Sequence, residues 1–252
     1  MLIGILLFLL LTTLIAWFHF KRMCVVPVRE LPIVDKILFG VSLAAEQGKP
    51  VIFTTGLTSL GPLMFVCSEI LREIAKKCAR IGLKLIVPQN DPPSVAFINK
   101  ILMETYISEG KLSRYDPKSI VFLSEEQFAF AAGYIGIVKR ENVGTAFLFG
   151  YFAGEALILA ESGRIQGAYQ IAGSVSPEQL AFFVATCDDV AFGEELYAIG
   201  AKMTGNKNIL ANLRVSDIGK LMLVTVILLG SALASIRHDL WLHFSEYLLT
   251  LP

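Results

Sequence analysis

Met1 to Phe20 carries no Asp, Glu, Lys or Arg. Twenty helical residues span ~30 Å, the thickness of a bilayer's hydrocarbon core. Trp17 and His19 sit near the end of this run, where amphipathic rings favour the lipid–water interface, and Lys21 and Arg22 follow at once. A cleaved signal peptide would need a basic n-region, a shorter apolar stretch and a small-x-small cleavage site. This run has none of them, so the expectation is a transmembrane helix over 1–20. A second span is expected over 218–236. Leu221 to Ile236 is uncharged, and Lys220 is close enough to its end to snorkel. Gly230, Ser231, Ala232, Ala234 and Ser235 would let a neighbouring helix approach closely, or are simply lipid-facing filler. After Arg237 the tail 237–252 places Leu240, Trp241, Phe244, Leu248 and Leu251 near one helical face, which suits a short amphipathic helix lying in the interface.

The apolar excess is not confined to these runs. The chain is 54% hydrophobic and 17% charged, with a mean hydropathy of +0.62, against averages of ~45–50% and ~25% for globular domains. Disorder is excluded by the same composition. Twenty-two Lys and Arg balance twenty-two Asp and Glu, so no overall basic field points to nucleic acid. Locally the balance breaks. Lys21, Arg22, Arg29, Arg214 and Lys220 flank the spans on the side of the middle segment, against Arg237 on the other. Basic residues near spans stay inside, so the expected topology is a two-span cell-membrane protein with segment 21–217 facing the cytoplasm. Cys67 and Cys78 fall on one predicted helix, ~16 Å apart at 1.5 Å per residue, too far to bridge. Cys24 and Cys187 have no CxxC or Cys/His partner at zinc-site spacing.

Between the spans, short apolar runs alternate with helical periodicity. Strands are predicted at 51–55, 83–87, 120–123, 145–149, 167–171 and 189–192. The clearest helix follows the first of them. Leu63, Met64, Cys67, Ile70, Leu71, Ile74, Ala75 and Cys78 share one face, charged residues take the other, and Gly82 stands where a C-terminal cap belongs. Asp91-Pro92 reads as an N-cap with proline at the first helical position. Ser124 to Gln127 and Ser176 to Gln179 read as capping boxes. The fold class that follows is α/β, a Rossmann-like, mostly parallel sheet of about six strands with helices on both faces, flanked by the two transmembrane helices.

In such a sheet, ligands bind at the carboxyl ends of the strands, near helix N-termini. The loop Gly56-Leu-Thr-Ser-Leu-Gly61 has the glycine spacing of a phosphate loop, but Pro62 and Leu63 stand where Lys and Ser/Thr are required. It is not a Walker A loop. Gly56, Thr58, Ser59 and Gly61 are left as candidates for a looser backbone cradle for a small anion, or as a tight strand-to-helix turn. Gly150, Gly154, Glu155, Gly193 and Glu194 complete the candidate ligand set at the same edge. Asp91, Glu155 and Glu194 could converge on Mg²⁺ with water ligands, or simply complement helix dipoles. GxGxxG and GxSxG are absent, and His19, His238 and His243 all lie in or beside the expected spans. No catalytic or metal-ligating set is therefore named, and no cofactor is identified. Cys187-Asp188-Asp189 precedes its strand, so it belongs to the opposite edge as a bend or cap.

Phe128 to Val138 is apolar nearly all round, as in a helix buried on every side or meeting another subunit or the bilayer surface. Ala44 to Gly56, Ser124 to Glu141, Gly150 to Gly163 and Gln179 to Ala201 together resemble an uncharacterised prokaryotic family of membrane-anchored α/β proteins, a domain of unknown function. The resemblance implies a membrane location and this fold, with no activity, substrate or cofactor to carry over. The expected function is a membrane-anchored binding, sensing or assembly module, in contact with membrane lipid and with copies of itself or a larger membrane complex. The enzyme-class alternative is a magnesium-dependent or nucleotide-using enzyme built on Gly56–Gly61 with Asp91, Glu155 and Glu194.

Overall fold

The computed structural model describes residues 31–205 and, beyond them, 219, 220, 223, 224 and 227, which are helical. The expected spans 1–20 and 218–236 and the tail 237–252 lie outside the described residues, apart from those five positions. Among the described residues no helix is long and apolar enough to cross a membrane. Among the described residues the α/β unit runs from 31 to 205.

Six strands form one sheet: β1 (Val51–Gly56), β2 (Leu85–Gln89), β3 (Ile120–Phe122), β4 (Thr145–Tyr151), β5 (Tyr169–Ser174) and β6 (Asp189–Phe192). Their order is β3-β2-β1-β4-β5-β6, and every neighbouring pair is parallel. Helices α2 (Pro62–Ile81) and α3 (Pro92–Ser108) carry the chain outward from β1 to β3 and pack on one face. The chain then reverses direction. Helices α4 (Gln127–Glu141), α5 (Ala156–Gln166) and α6 (Pro177–Thr186) pack on the opposite face. Right-handed crossovers require this exchange, because reversing direction across a sheet while keeping the hand moves the helices to the other side. Helix α7 (Glu195–Thr204) and helix α1 (Pro32–Glu46) join the first face.

Both faces are covered, which explains why the strands are continuously apolar instead of alternating. Val51, Phe53, Leu85, Val87, Phe147, Phe149 and Ile171 point to the first face. Ile52, Ile86, Ala146, Leu148 and Ala172 point to the second. Phe53 and Phe149 meet with ring centroids 6.1 Å apart, each fully buried and each contributing about 1.5–3 kcal/mol by removal from water. Cys67 and Cys78 are free thiols inside the first-face core.

Two strands begin two residues later than the sequence suggests, for one reason. Gly82 (φ 82°) is the left-handed cap of α2, and both its N–H and that of Leu83 donate to the Cys78 carbonyl. Gly167 (φ 71°) closes α5 in the same way, with the Ala168 N–H donating to Gly163. Residues 83 and 167–168 therefore belong to helix caps, and β2 and β5 start at Leu85 and Tyr169. The two capping boxes do not form. The Ser124 hydroxyl accepts from the Glu126 N–H two residues on, making a turn ahead of α4. Ser176 is the N-cap of α6 with Pro177 at its first position, yet its side chain caps nothing. The Asp91 cap does form, its carboxylate accepting from the Ser94 N–H at 3.1 Å.

Helix α1 was not read from the sequence, although Ile33, Ile37, Val41 and Ala44 recur at helical spacing and are buried. It runs along the amino ends of the strands. Lys36 pairs with Asp189 at the start of β6, the Phe39 ring meets the edge of Tyr169 at the start of β5, and the Thr145 hydroxyl of β4 donates to the Gly40 carbonyl at 2.8 Å. Helix α4, read as apolar all round, is buried along Phe130, Ala131, Tyr134, Ile137 and Val138, while Phe128 is 65% exposed. Among the described residues it is thus covered on one side only.

Candidate functional site

The strand order reverses between β1 and β4, so the carboxyl ends of these two strands mark the position where open α/β sheets receive ligands. The sequence candidates Gly56, Thr58, Ser59 and Gly61 end or follow β1, and Gly150, Gly154 and Glu155 lie in the end of β4 or follow it. The structure brings the two loops together and closes the space between them. The Leu57 N–H donates to the Tyr151 carbonyl at 2.9 Å, and the Tyr151 N–H donates to the Thr58 hydroxyl oxygen at 2.7 Å. The same Thr58 hydroxyl donates to the Thr55 carbonyl. Thr58 is 3% exposed. Its oxygen is already bonded to Tyr151 and Thr55, so it is not presented to an anion.

Two glycines permit this closure. A Cβ on Gly150 would lie 2.3 Å from the Thr55 carbonyl oxygen and 2.5 Å from the Thr58 hydroxyl. Gly56 has φ 61°, and a Cβ there would lie 2.5 Å from both the Tyr151 carbonyl oxygen and the Phe152 ring. Neither position has room for a side chain, so the packing of one loop on the other is by itself enough to require glycine at both. Phe152 fills the floor beneath them, fully buried and edge-on to Phe183 with centroids 5.1 Å apart. Ser59 is exposed, and Gly61, in extended backbone, is the N-cap of α2.

Glu155 is fully buried. Its carboxylate accepts from the Ala153 N–H at 3.0 and 3.1 Å and from the Gln127 side-chain amide at 2.7 Å. It ties the β4–α5 loop to the start of α4. That is a structural staple, and a stronger one than the helix-dipole role weighed from the sequence. Gly154 lies over the same contact, its Cβ direction ending 3.2 Å from the Gln127 amide nitrogen. Gly193 and Glu194 stand at the end of β6, separated from β4 by β5. Asp91 caps α3. Among the described residues no three His, Cys, Asp or Glu side chains are grouped so as to hold a metal ion, so Asp91, Glu155 and Glu194 do not converge.

Other residues define this edge and were not read from the sequence. Thr55 donates to the Gln89 side-chain oxygen at 2.9 Å, while the Gln89 amide nitrogen and the Ser94 hydroxyl are buried without a hydrogen-bond partner among the described residues. The Asn90 amide, turned so that its nitrogen faces acceptors, donates to the Gly56 carbonyl and to Asp91 at 3.2 Å each. Above this polar seam the edge is aromatic. Phe122 at the end of β3, Phe128 at the start of α4, Tyr151 at the end of β4 and Phe192 at the end of β6 are 47%, 65%, 45% and 52% exposed, with Leu60 at 50% in the loop after β1. Phe122, Tyr151 and Phe192 are the last residues of their strands, but nothing local in a sequence distinguishes a strand-end aromatic that is buried from one that is not.

The opposite edge holds Cys187, Asp188 and Asp189, as the sequence reading placed them. Asp188 accepts from the Gln170 N–H at 2.7 Å and Asp189 from the Tyr169 hydroxyl at 2.7 Å. Burial pushes the Cys187 thiol up to about 12, which keeps it protonated and inert near neutral pH. These residues fasten β5, β6 and α1. No curated protein matches the chain. The sequence profile of the family described as a domain of unknown function, DUF6754, matches residues 1–245, and the chain belongs to that family.

Proposed function

We propose that the protein is a membrane-tethered binding and assembly module whose α/β unit docks other protein in a membrane complex and performs no chemistry at the β1/β4 crevice. The observation that carries this reading is the closed crevice. The loops that would cradle a ligand bond to each other through Leu57, Thr58 and Tyr151, and Phe152 occupies the space beneath. The exposed aromatics around the same edge supply a second line of support. Exposed Phe and Tyr side chains are among the residues that protein interfaces bury at their centres. The tether rests on the uncharged run 1–20, the run 221–236 and the basic residues beside them. The partner presents a complementary apolar face and lies on the same side of the membrane as the α/β unit.

A thermal-shift series on the detergent-solubilised protein tests this against the enzyme alternative. Magnesium with nucleoside mono-, di- and triphosphates is expected to leave the melting temperature of both the native chain and Thr58→Val unchanged. Stabilisation of the native chain by a magnesium–nucleotide pair, abolished in Gly61→Val, would refute the proposal and install the enzyme reading. Assembly is tested separately by crosslinking in intact membranes from a photoreactive residue at position 192, where adducts to protein are expected and their absence counts against docking.

A further inference from the structure

A cleft of about 770 Å³ opens at the amino edge of the sheet, on the opposite side from the crevice, where α2 and α4 end beside the first residues of β2 and β3. Its floor is apolar, with Leu85, Ile86, Val121 and Ile137 among the residues that line it. Its rim is cationic. Lys84, Arg114, Lys118 and Arg140 line it against two carboxylates, Asp116 and Glu141, an excess of two positive charges.

Neither carboxylate is paired with the Arg114 guanidinium or the Lys118 ammonium among the described residues. Glu141 binds Lys84 at 2.6 Å and Arg140 at 3.5 Å, and the Lys84 hydrogen bond holds its carboxyl below the usual range. Asp116 accepts from the backbone N–H of Lys118. Arg140 lies in the last turn of α4, where a cation complements the helix dipole, so its presence needs no ligand. Arg114 and Lys118 are different. They come from the two 3-10 turns between α3 and β3, and neither has a carboxylate partner among the described residues. One Arg114 nitrogen donates to the Ala79 and Arg80 carbonyls at 2.8 and 3.0 Å. That anchors the guanidinium beside Gly82, whose missing side chain leaves room for it, the Cβ direction ending 3.3 Å from the Arg114 nitrogen. Its remaining N–H groups carry no hydrogen bond among the described residues. Tyr106 adds a hydroxyl to the lining, held protonated by burial with its pKa pushed up to about 12.

We infer that this cleft binds a phosphomonoester, with the phosphate dianion between Arg114 and Lys118 and the apolar body on Leu85 and Ile137. The dianion matches the excess of two charges. A planar guanidinium fixed by its own backbone bonds loses little freedom on gripping phosphate oxygens, and the apolar floor favours an ester over inorganic phosphate. Two sources offer this chemistry: a soluble phosphate ester, or the headgroup of phosphatidic acid at a membrane surface. The inference is independent of the assembly reading, because it concerns the other edge of the sheet.

The test uses the purified full-length chain. Phenyl phosphate is titrated by calorimetry into the detergent-solubilised protein, and in parallel so are short-chain phosphatidic acid and short-chain phosphatidylcholine. The variants are Lys118→Gln, whose side chain is exposed and makes no hydrogen bond or ion pair among the described residues, Arg114→Gln, and Lys100→Gln as a charge-matched control on the exposed side of α3. Losing one charged hydrogen bond to the ligand is expected to weaken binding about tenfold or more. Phenyl phosphate binding weakened in Lys118→Gln and Arg114→Gln but not in Lys100→Gln supports a soluble ester. Binding of phosphatidic acid but not phosphatidylcholine, with the same variant pattern, supports the lipid source. Binding of neither probe, or equal effects of Lys118→Gln and Lys100→Gln, overturns the inference.

Discussion

Replacing Gly56 by alanine isolates the packing that closes the crevice. The position has φ 61°, and left-handed backbone costs a residue with a Cβ about 1–2 kcal/mol. That cost alone would be shared by Gly167→Ala, where φ is 71° and a new Cβ meets nothing within 4 Å. At Gly56 the methyl would also sit 2.5 Å from the Tyr151 carbonyl oxygen and from the Phe152 ring. The ring is fully buried and the carbonyl already accepts the Leu57 N–H, so neither yields without cost. Overpacking of this kind adds about 1–3 kcal/mol. The expected loss is therefore about 2–5 kcal/mol for Gly56→Ala and about 1–2 kcal/mol for Gly167→Ala, out of the roughly 5–15 kcal/mol that folded domains have in all. Urea titration of the full-length chain, followed by tryptophan-independent far-ultraviolet circular dichroism, reads both. Equal midpoints for the two variants would refute the direct contact between the β1 and β4 loops.

Phe152→Ala is expected to cost about 3–5 kcal/mol, because the ring is fully buried against Phe183, whereas Tyr151→Ser next to it, at a side chain 45% exposed, stays within about 0.5 kcal/mol of the native chain in the same titration. Glu155→Leu strands the Ala153 N–H and the Gln127 amide and is expected to lose about 2–4 kcal/mol, with Gln127→Leu/Glu155→Leu recovering part of it. Burial raises the Cys78 thiol from 9.0 to about 12. Its neutral form thus supports the fold fully below pH 9.0, and that support fades as pH climbs from there toward about 12, since the unfolded chain releases the proton first. Stability measured across that window should decline less steeply in Cys78→Ala. In a variant carrying Cys24→Ser and Cys187→Ser, Cys67 and Cys78 should resist a thiol reagent at pH 8 in the folded chain and react fully in denaturant.

Much of the fold is legible in local chemistry. The strand-glycine-helix runs after Val51 and Thr145, the Asp91 N-cap and the Gly82 C-cap each announce themselves, because each satisfies backbone groups within a few residues. The errors come from competition between neighbours for the same residues. Gly82-Leu83 and Gly167-Ala168 read equally well as the start of a strand or the end of a helix, and the cap wins because it satisfies orphan carbonyls of α2 and α5. Ser124 lost its capping role to a tighter turn, and Gln127 left the helix end for Glu155. The candidate residues stand at the carboxyl edge expected for them, but what their side chains touch was not legible. Whether Thr58 faces a ligand or Tyr151 depends on strand order, which brings residues 93 positions apart into a 2.7 Å hydrogen bond. Lys118 gave no sequence signal at all, since a lone lysine in a loop acquires meaning only beside the walls of a cleft.

The central claim is that the crevice between β1 and β4 is sealed by the chain itself. Hydrogen exchange at the Tyr151 amide, which donates to the buried Thr58 oxygen, tests it most directly in the full-length protein. The account predicts slow exchange of that amide, unchanged by magnesium and nucleotides, and fast exchange in Thr58→Val. Fast exchange in the native chain that becomes slow when a magnesium–nucleotide pair is added would contradict it.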